Sequence, residues 1–336
     1  MLNVLHVTNA YPYPEVPEYG IFIKEQIDSL SQTGTIHNEV VFINGRREGK
    51  KAYLEGIAEI RRRAGDCDLI HCHHLYSGFA AAAALTGKPR VLSFLNDWLH
   101  EIEGVRSEMM RTALCNIGVW SADRLIFKSP IPQRYRNDKR FIYLPNGANS
   151  AQFHITDRQT ARKALNLDLE AVYLLFVSSK DIGRPQKRYD RFKKVVEIVQ
   201  SSFQGRRVEE LILVNQPRDR VLDFFNAADL HLMTSDFEGS PNSVKEAVCC
   251  GTPVVTTNVG NVQHLLENVP FCRVASDFDV QELASLVGDL LLEQVDRDEI
   301  RKSFLAKNFT QEETAGRLEK VYKELISARY GKIPMN

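Results

Sequence analysis

Glu238-Gly239-Ser240-Pro241-Asn242-Ser243-Val244-Lys245-Glu246-Ala247 sets two carboxylates eight positions apart around a Gly-Ser-Pro-Asn-Ser turn that predicts the start of a helix. Before it, Asp229-Leu230-His231-Leu232-Met233-Thr234-Ser235 alternates like a strand, and after it Gly251-Thr252-Pro253-Val254-Val255-Thr256-Thr257 has the turn and β-branched run of the next one. Strand, glycine turn, helix and strand in that order predict a doubly wound sheet, in which the free N–H groups and positive dipole end of a helix face an anion. Gly239 lets the backbone approach, and Asn242 or Ser243 is expected to cap the helix. Glu246 is expected in the first helical turn, where Cβ leans back toward a ligand and a carboxylate suits the paired hydroxyls of a ribose. The same spacing also serves an ordinary strand-to-helix connection with a capping Glu.

Working outward, strand-like runs alternate with helical patterns along the whole chain. They are Val4–Val7, Val40–Ile43, Leu69–Cys72, Val91–Phe94 and Leu125–Phe127, then Val172–Val177, Leu211–Val214, Leu230–Met233 and Val254–Thr256. Such alternation predicts an α/β protein with mostly parallel sheets, and 336 residues suit two domains rather than one. A Pro/Asn/Gly cluster at Leu144–Asn149 marks the hinge, dividing the chain into residues 1–147 and 148–336. The last helix, Thr310 to Arg329, carries Leu318, Val321, Tyr322 and Leu325 on one stripe.

Lys and Arg number 43 against 43 Asp and Glu, so no basic excess exists to release counterions, and nucleic acid is not the expected partner. The opening Met1–Val7 reads as a first strand and not as a signal peptide. The apolar run Phe79–Leu85 is far short of the roughly 20 residues needed to span a bilayer. Six cysteines without a paired framework fit a reduced, cytoplasmic protein.

Asp229 through Gly260 resembles the core of the retaining nucleotide-sugar glycosyltransferases of family 4, whose signature is E-x7-E with G-x-P after the first Glu and G-x-P-V-V after the second. The resemblance implies a GT-B fold of two facing Rossmann-like, doubly wound parallel-sheet domains. The first would bind an acceptor, the second a nucleotide sugar, with chemistry in the cleft. Leu144–Phe153 is similar to the family's P-N-G-v-D-x-x-x-F linker, with Asn149 in place of Asp. The resemblance implies that the last helix crosses back to the first domain; the sequence alone leaves it equally the last helix of the second.

Val177–Arg188 follows a strand and precedes a helix, which puts it at the carboxyl edge where open α/β sheets bind ligands. It resembles the family loop F-V-G-R-L-x-x-x-K-G, whose Arg and Lys grip the diphosphate. Lys187 matches the family Lys, whereas Ser178-Ser179 replace Gly-Arg, so Arg184 is the chosen arginine with Lys180 behind it. In the first domain, Tyr11–Phe22 is similar to the family's first βα loop, and Gly20 is its transferable residue, with Tyr11 at the loop's start. Ser93–Trp98 ends the fourth strand with Asn96-Asp97 where many relatives have His-Asp, which leaves Asn96 and Asp97 as acceptor-side candidates. His71-Cys72-His73-His74 resembles the family strand D-i-i-H-x-H; His73 and His74 would reach the cleft.

A zinc site is not expected in that run, because alternation sends His71 and His73 to one face and Cys72 and His74 to the other. Asp66-Cys67-Asp68 matches a metal-binding D-x-D by letters only, since it precedes its strand. Basic clusters at Arg46-Arg47, Lys50-Lys51, Arg61–Arg63 and Arg134–Arg140 all fall in the first domain. They read as a solvated face or as a docking surface for anionic lipid.

The resemblance therefore implies a metal-independent retaining hexosyltransferase without a cofactor. Its donor would be a nucleoside-diphosphate sugar, UDP-sugar ahead of GDP-mannose, and its acceptor a glycan or polyprenyl-linked glycan in surface-polysaccharide assembly. Glu238 would hold the donor sugar and Glu246 the ribose. Lys187, Arg184 and the backbone from Ser240 to Ser243 would stabilise the departing diphosphate, and Gly239, Ser240, Pro241, Asn242, Ser243 and Lys180 would line the donor site. A non-catalytic sugar-nucleotide-binding protein and a GT-B epimerase remain alternatives. A glycoside hydrolase would need the two carboxylates to flank one bond.

Overall fold

The computed structural model describes residues 1–98, 100–102, 105–178, 181–203 and 206–331. The chain divides into two compact units, one formed by Met1–Gly147 together with the last helix, the other by Ala148–Thr310. Each is built on a parallel sheet.

The first sheet contains β1 (Leu2–Thr8), β2 (Ile36–Phe42), β3 (Leu69–His73), β4 (Arg90–Phe94), β5 (Arg124–Phe127) and β6 (Phe141–Tyr143), in the order β2-β1-β3-β4-β5-β6. In register, His6 on β1 lies opposite His71 on β3, and Thr8 opposite His73. Successive residues of a strand point to opposite faces, and both faces are covered, so the strands read as continuous apolar runs. Leu5, Val7, Ile70, Cys72, Leu92 and Phe94 enter one core; Leu2, Val4, Leu69 and Val91 enter the other.

The second core is closed by the last helix, Gln311–Tyr330. Its Leu318, Tyr322, Leu325 and Ile326 recur at helical spacing and are all buried. At roughly 1.5–3 kcal/mol for each fully buried apolar side chain, this stripe is enough to hold the helix on the first sheet. The second unit therefore ends at Thr310 and not at residue 336.

The second sheet contains β7 (Val172–Ser178), β8 (Val208–Val214), β9 (Leu230–Met233), β10 (Val254–Thr256) and β11 (Cys272–Val274), ordered β11-β10-β9-β7-β8. Alternate residues again separate into two cores. Tyr173, Leu175, Leu211 and Val254 pack with the helix Asn242–Cys249 on one face, and Val172, Leu174, Phe176 and Val255 with the helices Tyr189–Ser202 and Val280–Leu291 on the other. β7 and β9 are neighbours, so the loops leaving their carboxyl ends emerge side by side. Among the described residues no helix is long and apolar enough to cross a membrane.

Candidate active site

The loop after β7 closes with a short 3-10 turn at Pro185–Lys187, and Arg188, in the left-handed conformation at φ 53°, starts the next helix. This turn is strapped to the loop that follows β9. Asp236 N donates to Gln186 O at 2.9 Å, Gln186 Nε2 donates to Phe237 O at 2.7 Å, and Thr234 Oγ1 reaches Lys187 O at 3.0 Å. Asp236 also pairs with Arg188 at 3.1 Å and Arg191 at 2.9 Å. The straps bring Lys187 Nζ to Glu238 Oε1 at 2.7 Å, and Ser235 Oγ donates to the same oxygen at 2.8 Å. Both side chains are about seven-eighths buried, at 13% and 12% exposure. Partial burial strengthens the Coulomb attraction within the pair and adds a desolvation cost against it.

After Glu238 the chain turns against Gly260. There φ is +58°, and a Cβ would lie 2.4 Å from Gly239 O and 2.7 Å from Glu238 O, so only glycine fits. Asn261 N donates to Gly239 O at 3.2 Å. Ser240 Oγ accepts from Asn261 Nδ2 and from Lys245 Nζ, each at 3.1 Å. Lys245 is almost wholly buried, at 1% exposure, with its Nζ beneath the turn.

The helix Asn242–Cys249 then begins after Pro241. Neither Asn242 nor Ser243 caps it, contrary to the sequence expectation. Asn242 is the first helical residue, and Ser243 is engaged by His231 at 3.1 Å. His231 Nδ1 faces Leu175 O at 3.0 Å and therefore carries the proton. Burial holds its pKa down to about 4, so Nε2 is bare and accepts from Ser243. With no side-chain cap, the first N–H groups of this helix remain available to an anion. Pro241 has no N–H, so it shapes the turn without donating. Glu246 is the fifth helical residue, one position past the first turn, and its Oε1 accepts from Arg218 at 2.8 Å. Arg184 donates to Gln186 Oε1 at 2.9 Å, beside the Lys187 turn. Lys180 lies outside the described residues.

The first-unit candidates sit in a different chemical setting. Gly20 has φ +67°, and a Cβ would come within 2.3 Å of Ala10 O, which pins the start of helix Ile21–Gln32 onto the Ala10-Tyr11 backbone. Tyr11 packs against Phe42 at 6.2 Å between ring centroids, and partial burial raises its phenol above the usual range. Asn96 N donates to Glu101 Oε2 at 2.9 Å, and Asp97 accepts from the His100 ring at 2.7 Å. Glu101 is fully buried, bonded by the Leu75, Leu95 and Asn96 amides, and burial still pushes its pKa up to about 8. His74 caps the helix Leu75–Ala83, with its ring 3.9 Å from Glu101.

His73 belongs to a set the sequence run did not reveal. His6 of β1 joins His71 and His73 of β3 on one face, with ring nitrogens within 4.8 Å, so three imidazoles converge where only the local run was weighed. Their hydrogen bonds can be ordered. Ser31 Oγ donates to Ile27 O and accepts from Asn38 Nδ2 at 2.9 Å, so Asn38 Oδ1 faces His6 Nε2 at 2.8 Å. His6 Nε2 then carries the proton, and His6 Nδ1 accepts from His73 Nε2 at 3.0 Å, leaving His73 Nδ1 bare. His71 is held between Tyr322 at 2.5 Å and Ser93 at 2.8 Å. A cation would have to displace these bonds in a pocket that also feels Lys128. Burial brings His6 down to about 4 and His71 and His73 well below their usual range.

The family match to known proteins falls within the second unit. Residues 168–293 match the family described as glycosyl transferases group 1. Two D-inositol 3-phosphate glycosyltransferases are similar to the chain. The one from Acidothermus cellulolyticus is 23% identical over 81% of this chain and 70% of its own, and the one from Rhodococcus jostii 24% over 84% and 73%. In structure, the chain is similar to sucrose-phosphate synthase from Thermosynechococcus elongatus, with a TM-score of 0.73 and 16% identity across 98% of this chain and 100% of that one. It is also similar to Anabaena HepE, solved with UDP, with a TM-score of 0.70 and 16% identity across 96% and 100%; the same protein is solved with UDP-glucose. The fold is GT-B, and the chain is an enzyme of the glycosyltransferase class.

Proposed function

We propose that this enzyme is a retaining, metal-independent glycosyltransferase of family 4. It would move a hexose-type sugar from a nucleoside-diphosphate sugar, UDP-sugar ahead of GDP-mannose, to a glycan or polyprenyl-linked glycan in bacterial surface-polysaccharide assembly. The observation that carries the reading is the Lys187–Glu238 pair beside an uncapped helix start at the carboxyl edge of the second sheet. As the bond between anomeric carbon and diphosphate breaks, negative charge grows on the leaving oxygens. Lys187, Arg184 and the N–H groups of Ser240, Asn242 and Ser243 meet it there. These groups supply the positive charge that a divalent ion supplies in other transferases.

Glu238 Oε1 is taken by Lys187 and Ser235, so Oε2 is the atom assigned to the donor sugar hydroxyls. Glu246, oriented by Arg218, accepts from the ribose. In the retaining step the acceptor oxygen bonds to the anomeric carbon on the face the diphosphate leaves, and a phosphate oxygen takes the acceptor proton. In the first unit Gly20 is assigned to the donor, whose phosphates or sugar its loop approaches, and Tyr11, Asn96, Asp97 and His74 to the acceptor side. The reading of HepE with UDP and UDP-glucose supports a uridine donor here.

Contact with the inner face of the membrane is part of the same reading. The basic clusters are largely engaged: Arg46 stacks on Tyr19, Arg61 holds the Ala83 and Ala84 carbonyls, and Arg134 stacks on Trp98. The better support is the helix Glu108–Trp120, whose Met109, Met110, Ile117 and Trp120 are exposed. Sedimentation with anionic vesicles, lost on Trp120→Ser, tests it.

Thermal-shift screening with UDP, GDP, ADP and their sugars tests the donor assignment. A ligand that binds only the native state raises the melting temperature, and UDP is expected to give the largest rise. No rise with any nucleotide overturns the reading. A rise without release of free sugar from the donor points to the non-catalytic alternative.

A further inference from the structure

At the amino edge of the second sheet, opposite the Lys187–Glu238 pair, lies a cavity of about 770 Å³ lined by Arg158, Arg206, Asp229, Glu293 and Arg297 among others. Asp229 and Pro253, the residues just before β9 and β10, are among its lining. The geometry points to a second anion site here, built for the phosphate group of a small phosphorylated molecule.

The arginines around the cavity divide by what they hold. Arg162 is wholly committed: Nε to Ala227 O, Nη1 to Leu169 O, and Nη2 to Asp229 at 2.6 Å. Arg158 makes one bond, from Nη1 to Asp229 at 2.9 Å, which leaves Nε and Nη2 without partners among the described residues. Arg297 fixes Thr156 O and Cys250 O through its Nη groups, while its buried Nε has no partner. Arg206 donates to Glu170 O and Ala171 O, with Nη1 uncommitted. Three guanidiniums thus line one cavity with donors to spare. A purely structural set would be saturated like Arg162.

Beyond the one Arg158–Asp229 bond, the carboxylates do not answer these donors. Asp229 is shared by Arg158 and Arg162, Glu293 pairs with Arg273 at 2.7 Å, and Asp157 caps the helix Arg158–Ala164 through Thr160. The lining holds three guanidiniums (Arg158, Arg206, Arg297) and three carboxylates (Asp157, Asp229, Glu293). Arg162 and Arg273, outside the lining, already pair with Asp229 and Glu293, so the cavity with these partners carries an excess of 5 − 3 = 2 positive charges. Burial, and then crowding by Arg158, draws Arg297 down to about 10. An anion relieves that crowding and satisfies planar N–H pairs, the geometry guanidinium offers to phosphate. The cavity is far larger than a phosphate ion and falls in the range of small-molecule sites, so a phosphate monoester is the assigned ligand class.

Calorimetric titration with glycerol 3-phosphate and with inorganic phosphate, on wild type, Arg158→Gln, Arg206→Gln and Lys187→Ala, tests the site. Arg206 is exposed, so its variant keeps the proposal testable if Arg158→Gln fails to fold. The expected result is glycerol 3-phosphate binding that weakens at least tenfold in both arginine variants and persists in Lys187→Ala. Tighter binding of the monoester than of the free ion supports the assigned class. Equal affinity for both probes, no binding by wild type, or binding lost only in Lys187→Ala overturns it.

Discussion

In the first unit the carboxyl ends of β1 and β3 are filled by neutral imidazoles linked by hydrogen bonds; in the second, the ends of β7 and β9 carry charges held in pairs. The sheets share a parallel, doubly wound construction, so architecture does not explain the difference. What differs is the environment each edge offers to charge. His6, His71 and His73 are buried among one another, with Lys128 acting on His71 and His73, and His74 is buried beside Glu101; at each a further proton is costly. Lys187, Glu238, Arg218 and Glu246 sit at a loop edge where opposite charges meet and an uncapped helix opens. The second edge holds its cations on carboxylates, whereas the first keeps its histidines uncharged by burial.

The largest test removes the central cation. Lys187→Ala should lower turnover about 10²–10³-fold, the scale for one donor that stabilises developing negative charge. It should do so while the first unit's melting is unchanged. Turnover within threefold of wild type would take Lys187 out of the mechanism and leave the charged edge a structural feature.

Acid should act in the opposite place. A buried imidazole with a pKa of about 4 is unprotonated where the same residue in the unfolded chain, near 6.5, has taken up a proton. Between those values the unfolded chain binds more protons, so stability is present above about pH 6.5 and is lost as pH falls toward 4. His6 and His74 should each withdraw about 2 kcal/mol by pH 5. His71 and His73 act in the same direction. Glu101, raised to about 8, works the other way, one carboxyl against four imidazoles. The second unit has His231 alone of this kind among the described residues. Both tryptophans, Trp98 and Trp120, belong to the first unit, so their fluorescence reports its melting selectively. A tryptophan-detected midpoint that does not move between pH 7 and pH 5 breaks the comparison.

The two carboxylates of the charged edge should separate by ligand. Glu246→Gln should weaken bare UDP by part of a charge-assisted bond worth roughly 1.5–3 kcal/mol, and Glu238→Gln should mainly slow transfer. Calorimetry with UDP decides, because UDP has the ribose but no donor sugar. A greater loss of affinity in Glu238→Gln reverses the two roles. The smallest expected effect is that of EDTA, which should leave activity unchanged; loss on chelation, restored by Mg²⁺ or Mn²⁺, would show that the side chains do not carry the charge alone.

The strand runs were legible because both faces of each sheet are buried, which writes a continuous apolar signal. β6 and β11 were not read as strands: each is only three residues long, and Cys272–Val274 is half-exposed at a sheet edge. Lys187 and Glu238 were each legible from local pattern. Lys245, Arg218 and Glu101 were not, because a buried charge looks like any surface charge until its surroundings are known. His6 escaped notice for a related reason: it joins His71 by strand pairing across 65 positions of chain.

By itself the sequence determined the alternation of strands and helices, the hinge near Gly147 and the Glu-turn-helix segment, since periodicity, turn residues and glycine are local properties. Tertiary structure decided which charges meet: Lys187 with Glu238 across 51 residues, and Arg218 with Glu246. It also placed Tyr322 against His71 across 251 residues, so that the last helix joined the first unit. The physical reason is common to all three. Desolvation and ion pairing depend on distance in space, and a linear pattern carries no measure of it.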